Sequence, residues 1–120
     1  MNKHIDNTPV VLQEGQRAIY QTVEFSRWFA SLRDRRARAR IADRLKRLAN
    51  GIAGDTKSIG GGVQELRLQF GPGYRVYYKW QHGALIILLT GGDKSSQRRD
   101  IALAKQLAEE AEDGIESSPI

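Results

Sequence analysis

Hydrophobic residues concentrate in three consecutive stretches of the second half of the chain, each long enough for one β-strand. The middle stretch runs from Tyr74 to Trp80, and its aromatic and β-branched side chains favour extended backbone. Gly71-Pro72-Gly73 before it and Gln81-His82-Gly83 after it have the length and composition of hairpin loops. The stretches Val63 to Phe70, Tyr74 to Trp80 and Ala84 to Thr90 are therefore predicted to form an antiparallel meander.

Strand periodicity assigns the side chains of the middle strand to two faces. One face is predicted to be buried and carries Tyr74, Val76, Tyr78 and Trp80. The other face is predicted to be cationic and carries Arg75, Tyr77 and Lys79. The third strand is apolar throughout, from Ala84 to Leu89, which predicts a central strand covered on both faces.

Segments with helical periodicity lie before and after the meander in the sequence. A strand from Ile19 to Val23 is predicted to lead into helices over Glu24 to Leu32 and Asp34 to Ala49, and a last helix spans about Ser95 to Ala111. The glycine-rich segment Gly51 to Gly62 is predicted to be a flexible loop. The order β-α-α-β-β-β-α predicts an α+β fold in which a helical hairpin packs on a small, twisted, mainly antiparallel sheet.

Length and composition indicate one cytoplasmic domain. With 120 residues the chain can bury one core, and we expect that domain over residues 19–111, with a loosely held extension over 1–18 and an acidic tail over 112–120. The sequence has no cysteine, which excludes disulfides and thiolate chemistry. No apolar run is long enough for a membrane span, so no membrane partner is expected.

Residues 1–108, the body of the chain, are more basic than the net charge of +5 for the whole chain indicates. They hold all 19 Lys and Arg but only nine of the 14 Asp and Glu, which gives them a net charge of +10. Such a body suits a phosphate-bearing partner. Eight Lys or Arg lie between positions 33 and 47, and this run could simply be a solvated helix face. The predicted RNA contacts are Arg35, Arg36, Arg38, Arg40, Arg44 and Arg47, together with Lys79 on the sheet.

A second group of cations is predicted to converge on the meander, where Arg67, Arg75, Tyr77 and Lys79 share a face and Lys94 follows the last strand. Cations held this close favour a bound anion, and phosphate is the expected one. The alternative is an ordinary face with scattered charges. The histidines, His4 and His82, lie in the extension and in a hairpin loop, so a metal site is not expected.

Three segments together resemble a known group of proteins. They are Glu65-Leu-Arg-Leu68, Gly73-Tyr-Arg-Val-Tyr-Tyr78, and Gly91-Gly-Asp-Lys-Ser-Ser-Gln97 with Asp100-Ile101 after it. With the predicted element order, they resemble the RelE/ParE toxin superfamily from about Ile19 to Ala111, and within it the HigB-like branch of addiction-module killer proteins. The resemblance implies a RelE-like fold.

The resemblance also implies a function. Such a protein is the toxin of a type II toxin–antitoxin pair and cleaves mRNA on the ribosome, with the RNA 2′-hydroxyl as nucleophile and without a metal or cofactor. Its partners would be the ribosome, mRNA and a HigA-like helix-turn-helix antitoxin. Arg75 matches the arginine that binds the scissile phosphate, and Arg67 matches a basic position on the preceding strand. Lys94 matches the residue that stabilises charge or protonates the leaving group.

The general base stays open at this point. The chain has no aromatic residue after Trp80, where RelE uses a tyrosine, so Lys94, Asp93 and Tyr77 are all candidates and Gln97 is a further candidate for positioning RNA. Asp93 also suits a helix cap. Two other functions remain: a ParE-like inhibitor of DNA gyrase that cleaves no RNA, and a non-catalytic module that binds nucleic acid or antitoxin.

Overall fold

The computed structural model of the protein describes residues 5–6, 18–81 and 85–117, with side chains for 18–81 and 85–111. The strands are β1 (Ile5–Asp6), β2 (Ala18–Thr22), β3 (Thr56–Gly60), β4 (Val63–Arg67), β5 (Arg75–Gln81) and β6 (Leu85–Gly92). The helices are α1 (Val23–Ser31), α2 (Arg35–Ala49) and α3 (Gln97–Ser117), and a 3₁₀ turn over Lys94–Ser96 precedes α3.

The strands form one mixed sheet in the order β1-β2-β6-β5-β4-β3. β2 pairs with β6 in parallel, and the other neighbours are antiparallel. This arrangement confirms an α+β fold and the meander β4-β5-β6, with strand ends shifted by up to three residues from the predicted ones. The predicted hairpin loop after β5 lies outside the described residues beyond Gln81.

The predicted flexible loop over Gly51 to Gly62 is partly wrong, because it contains the edge strand β3. β3 pairs antiparallel with β4, from Thr56 opposite Leu66 to Gly60 opposite Val63. The chain reverses between them at Gly61 and Gly62, whose φ angles of 64° and 77° suit glycine. The glycines therefore mark a tight turn between paired strands.

Helices α1 and α2 cover one face of the sheet, as predicted. Thr22 caps α1 by accepting a hydrogen bond from the Phe25 backbone N at 3.0 Å, and its own hydroxyl donates to the Leu89 carbonyl at 2.6 Å. This pair of bonds fixes the start of α1 to β6. The first core contains buried side chains from both helices and the sheet, including Phe25, Ile41, Leu45, Val76, Tyr78 and Leu88.

Helix α3 covers the opposite face, which corrects the predicted cationic face. Tyr77 is fully buried, and Arg75 and Lys79 are only 8% and 6% exposed. The second core lies beneath α3 and includes Val63, Tyr77, Ile87, Leu89, Ala104 and Leu107. Strand β6 contributes to both cores, so the prediction of a central strand covered on both faces is confirmed.

Two further expectations about the ends of elements differ from the structure. Trp80, predicted to be buried, lies near the end of β5 and is 37% exposed. Helix α3 continues past Ala111 to Ser117 and so includes part of the expected acidic tail. Residues 1–4 and 7–17 of the expected extension lie outside the described residues, while Ile5–Asp6 pair with β2. Among the described residues, no helix combines the length and apolar character that crossing a membrane requires.

Candidate phosphate-binding site

Three cations predicted from the sequence, Arg67, Arg75 and Lys94, line one cleft of about 290 Å³ beside the turn that joins β4 to β5. The strand register brings them together, because Arg67 lies opposite Arg75, and Arg75 lies opposite Gly92, two residues before Lys94. We call this the cation cleft. Its charge and its position at a strand turn suit an anionic group such as phosphate.

Gly73 in that turn allows two of the cations to approach. Its φ angle is 78°, and a Cβ at this position would lie 2.9 Å from Arg75 Nη1 and 3.1 Å from Lys94 Cγ. The Gly73 carbonyl also accepts a hydrogen bond from Arg75 Nη1. Gly73 is therefore required by the conformation of the turn and by the cations packed against it.

Arg67 is held by Asp55, which precedes β3. Arg67 Nε and Nη2 donate to Asp55 Oδ1 at 3.2 and 2.9 Å, and Gln69 Nε2 donates to Asp55 Oδ2 at 2.9 Å. The hydrogen bonds from Gln69 and Arg67 lower the pKa of the Asp55 carboxyl, although burial opposes them. Asp55 therefore stays ionised, orients the Arg67 guanidinium and neutralises part of its charge.

Glu65 is the buried carboxylate of the site, and sequence reasoning did not select it. It is 1% exposed, and its Oε2 accepts hydrogen bonds from Tyr77 Oη at 3.0 Å and Gln97 Nε2 at 2.9 Å. Arg75 Nε lies 3.9 Å from the same oxygen, an ion pair rather than a hydrogen bond. Glu65 thus links β4, β5 and the first residue of α3 behind the cation cleft. Its position opposite Tyr77 in an antiparallel pair was the available signal.

Tyr77 and Gln97, both predicted as candidates, are brought together on Glu65. Burial, and next the charge of Glu65, raises the pKa of the Tyr77 phenol far above its usual value. A buried phenol that stays protonated and donates to a carboxylate is poorly suited to be a general base. Its hydrogen bond instead positions Glu65, and through it Arg75.

Arg75 carries a buried donor that the described side chains leave unsatisfied. Its Nε makes no hydrogen bond among the described residues, and its ion pair with Glu65 spans 3.9 Å. A buried N–H without a hydrogen-bond partner costs free energy, and the charge of Glu65 beside it offsets part of that cost. Arg75 therefore lines the cleft with a guanidinium whose Nε is buried near Glu65 and whose Nη1 donates to the Gly73 carbonyl.

The segment from Asp93 to Ser96 forms the capped turn that presents Lys94. Asp93 Oδ1 accepts a hydrogen bond from the Ser95 backbone N at 2.8 Å, and the Ser96 hydroxyl accepts one from the Asp93 backbone N at 3.3 Å. The hydrogen bond from the Ser95 hydroxyl lowers the pKa of the Asp93 carboxyl. The capping interpretation of Asp93 is thereby confirmed, and its lowered pKa makes it a weak base. Lys94 itself is exposed.

Comparison with known proteins identifies the family of this chain. The family model of Gp49, described as a phage-derived Gp49-like protein (DUF891), matches residues 27–109. The chain belongs to the Gp49-like family. A Haemophilus influenzae (strain ATCC 51907 / DSM 11121 / KW20 / Rd) protein described as an uncharacterized protein is 52% identical over 92 residues, which are 77% of this chain and 93% of the relative. No solved structure shows a significant match.

The family assignment corrects the resemblance drawn from the sequence motifs. Membership in the RelE/ParE superfamily and its HigB-like branch is wrong, because the matching model is that of a different family. The Gp49-like family is linked to toxin–antitoxin systems and to their mRNA-cleaving toxins, which implies an antitoxin partner. The broader connection to toxin–antitoxin systems therefore holds, while the branch does not.

The predicted RNA contacts on α2 of this Gp49-like chain divide into two groups. Arg35, Arg36 and Arg40 are exposed, Arg38 is half-buried, and Arg47 pairs with Asp43 at 3.2 Å on the surface. Arg44 points inward instead. Its guanidinium donates to the carbonyls of Arg67, Ala53 and Asp55 at 2.8, 3.2 and 3.4 Å, and burial lowers its pKa. Arg44 therefore fastens β3 to α2, and its guanidinium is not directed to an external ligand.

Lys79 is the predicted site residue that the structure separates from the others. Its ammonium lies beneath α3 and donates to the Ala108 carbonyl at 3.3 Å. With 6% of its surface exposed, it lies where RNA has no direct access, which corrects its selection as an RNA contact. Among the described residues, no cluster of three or more His, Cys, Asp and Glu side chains could hold a metal ion.

Proposed function

We propose that this protein is the toxin of a toxin–antitoxin pair and acts as an endoribonuclease that cleaves mRNA on the ribosome. The observation that carries the proposal is the convergence of Arg67, Arg75 and Lys94 on one cleft. The link of the Gp49-like family to mRNA-cleaving toxins supports the same activity.

The proposed reaction is an attack of the RNA 2′-hydroxyl oxygen on the adjacent phosphorus. A bond forms between phosphorus and O2′, and the bond between phosphorus and O5′ breaks. The 2′-hydroxyl gives its proton to solvent water and O5′ receives one from Lys94, which leaves a 2′,3′-cyclic phosphate and a 5′-hydroxyl. The protein must hold the phosphate in line and stabilise the additional negative charge of the transition state.

Each cation has its own part in this reaction. Arg75, positioned by Glu65 and Gly73, binds a non-bridging phosphate oxygen. Arg67, oriented by Asp55, stabilises the charge that develops there. Lys94 is exposed at the mouth of the cleft and donates a proton to the leaving O5′.

The exposed arginines of α2 supply the contact with ribosomal RNA in this proposal. Arg35 and Arg36 face solvent, where they can pair with phosphates and release counterions. The antitoxin neutralises the toxin, and we propose that it is a helix-turn-helix protein. A binding partner of this kind would prevent the toxin from reaching the ribosome.

The test is induction of the protein in cells, followed by mapping of mRNA 5′ ends and of their chemistry. Wild-type protein is expected to create new 5′-hydroxyl ends within translated frames. Lys94→Ala and Arg75→Ala are expected to lose them, whereas Lys105→Ala, which removes an exposed lysine of α3 outside the cleft, keeps them. Since Arg75 is buried, the folding of its variant is verified by thermal unfolding.

Two results would reject the endonuclease. One is arrested growth with intact messages and broken DNA, unchanged by Arg75→Ala and Lys94→Ala, which would identify a gyrase inhibitor. The other is cleavage that persists at wild-type level in both variants, because the cation cleft would then have no part in it.

A further inference from the structure

A second groove lies directly beside the cation cleft, between α2 and the segment that follows β4. Its volume is about 410 Å³, its apolar floor is formed by Leu68 and Phe70, and its α2 wall is formed by Ala39, Arg40, Asp43 and Arg44. The Asp43 carboxylate is paired with Arg47 at 3.2 Å. We call this second groove the α2 groove. The segment Leu68 to Phe70 lines both the α2 groove and the cation cleft, so that one ligand chain can occupy both.

The α2 groove contains a cation–π pair. The guanidinium of the exposed Arg40 lies over the half-buried Phe70 ring, 4.6 Å from its centre, and the ring also packs against Tyr74 at 5.6 Å, so a base in the groove would stack on the outer side of the guanidinium or take its place on the ring. Nucleobases stack on aromatic rings and on arginine planes, and the strength of this stacking varies little between bases. A small inorganic anion would gain nothing from the apolar floor, and an aliphatic side chain would gain nothing from the guanidinium plane.

A planar base attached to an anionic backbone can use the guanidinium, the apolar floor and the cation cleft together. We infer that the α2 groove is a nucleobase subsite for single-stranded RNA whose phosphate lies in the cation cleft. This inference rests on the proposed function for the choice of RNA. The base in the groove would be the one next to the scissile phosphate, so the groove fixes which phosphate is cleaved.

The test uses a short single-stranded RNA that carries 2-aminopurine beside one phosphate and 2′-O-methyl groups throughout, so that it cannot be cleaved. Stacking quenches 2-aminopurine fluorescence, and anisotropy of an end label measures binding independently. Wild-type protein is expected to bind and quench. Phe70→Leu and Ala39→Glu are expected to weaken binding about tenfold and to lose the quenching.

Matched variants distinguish an effect of the groove on binding from effects of misfolding and of overall charge. Ala39 is exposed on α2, so its replacement leaves the core intact, and Ala102→Glu makes the same change on an exposed position of α3. Ala102→Glu is expected to lower affinity by no more than about twofold and to keep the quenching.

Three results would overturn the inference. The first is binding without quenching in the wild-type protein, or no binding. The second is equal quenching in Phe70→Leu and Ala39→Glu, and the third is equal affinity of the wild-type protein and both variants for the probe. Loss of antitoxin binding in the two groove variants, with quenching retained, would likewise identify the groove as a protein interface.

Failure of the proposed function gives a different pattern. Because the probe cannot be cleaved, its quenching is independent of catalysis. Quenching by a protein that produces no new mRNA ends in cells would reject the endonuclease and keep the base subsite. Cleavage in cells whose position is unchanged by Phe70→Leu would reject the subsite and keep the endonuclease.

Discussion

Glu65 shows at the residue scale how one buried carboxylate organises a cationic site. A carboxylate is rarely buried without partners, because its desolvation is costly. Here Tyr77 and Gln97 donate hydrogen bonds to it, and Arg75 supplies the opposite charge at 3.9 Å. Glu65 in turn compensates the charge of Arg75, which would otherwise be buried alone beside the cleft.

Replacement of Glu65 by glutamine is expected to destabilise the protein by about 1–3 kcal/mol, because it leaves the buried Arg75 charge uncompensated. Chemical denaturation at neutral pH measures this change in the free energy of unfolding. Glu109→Gln, the same change on the exposed surface of α3, is expected to stay within about 0.5 kcal/mol of wild type. Equal stability of the two variants would show that Glu65 has no such role.

Tyr77 is expected to make the protein less stable at alkaline pH. Its raised pKa means that the folded state keeps the phenol protonated at a pH where the unfolded state has lost the proton. The contribution of Tyr77 to the free energy of unfolding is fully present below about pH 10 and is lost as the pH rises above that value. The free energy of unfolding of Tyr77→Phe is expected to fall less steeply above pH 10 than that of wild type, and identical slopes would contradict the assignment.

Gly91 is a position where a single methyl group is too large. A Cβ there would lie 2.3 Å from the Trp28 ring, so the absence of a side chain allows α1 to pack closely on β6. Gly91→Ala is expected to cost about 1–3 kcal/mol in thermal or chemical unfolding. Adding Trp28→Leu to it should cost less than the sum of the two single changes, whereas simple additivity would count against this contact.

At the scale of elements, the edge strand β3 is held by side chains from elsewhere. Arg44 of α2 donates hydrogen bonds to three carbonyls of the segments beside β3 and β4, and Asp55, just before β3, holds Arg67. An edge strand has a hydrogen-bonded partner on one side only, so such anchors contribute much of its local stability. The orientation of Arg67 in the cation cleft therefore depends on a contact made by α2.

Arg44→Lys is expected to loosen β3 without unfolding the core. A lysine ammonium cannot span three carbonyls in the way that a planar guanidinium does. Amide hydrogen exchange in β3 should accelerate about tenfold, while amides in β5 and β6 exchange as in wild type. Arg47→Lys on the exposed face is the control, and unchanged exchange of β3 in Arg44→Lys would refute the anchoring role.

The whole molecule combines a basic surface with a sheet covered on both faces. The cation cleft lies at the turn between β4 and β5, where neither the α1 and α2 layer nor α3 covers the sheet fully. Arginines of α2 extend the positive surface from there across the solvent-facing side of that helix. Binding of RNA to such a surface is expected to release counterions and to depend strongly on salt.

The salt dependence of RNA binding offers a test at this scale. For a short single-stranded RNA, the logarithm of the affinity is expected to fall linearly with the logarithm of salt concentration, with a slope of about −0.7 per phosphate contact. Lys94→Ala should make the slope shallower by about 0.7, and Lys105→Ala should leave it unchanged. A slope that both variants share with wild type would exclude Lys94 from phosphate contact.

The sequence by itself determined most of the helices and strands and one group of cations in the candidate site. Apolar periodicity located α1, α2 and the meander, and strand alternation placed Arg67 and Arg75 on the same face of that meander. These features depend on local backbone preferences and on the register of neighbouring strands, both of which are encoded within a few residues. The capping role of Asp93 is local in the same way.

Only the tertiary structure decided which charges face inward. A pattern along one strand separates two faces but does not say what covers each, and α3 buries the face that carries Tyr77 and Lys79. Glu65 with Gln97, and Arg44 with the carbonyls near β3, are contacts between residues distant in sequence. Such partners are set by the packing of layers, because a buried charge is stable only where the rest of the fold brings it a counterpart.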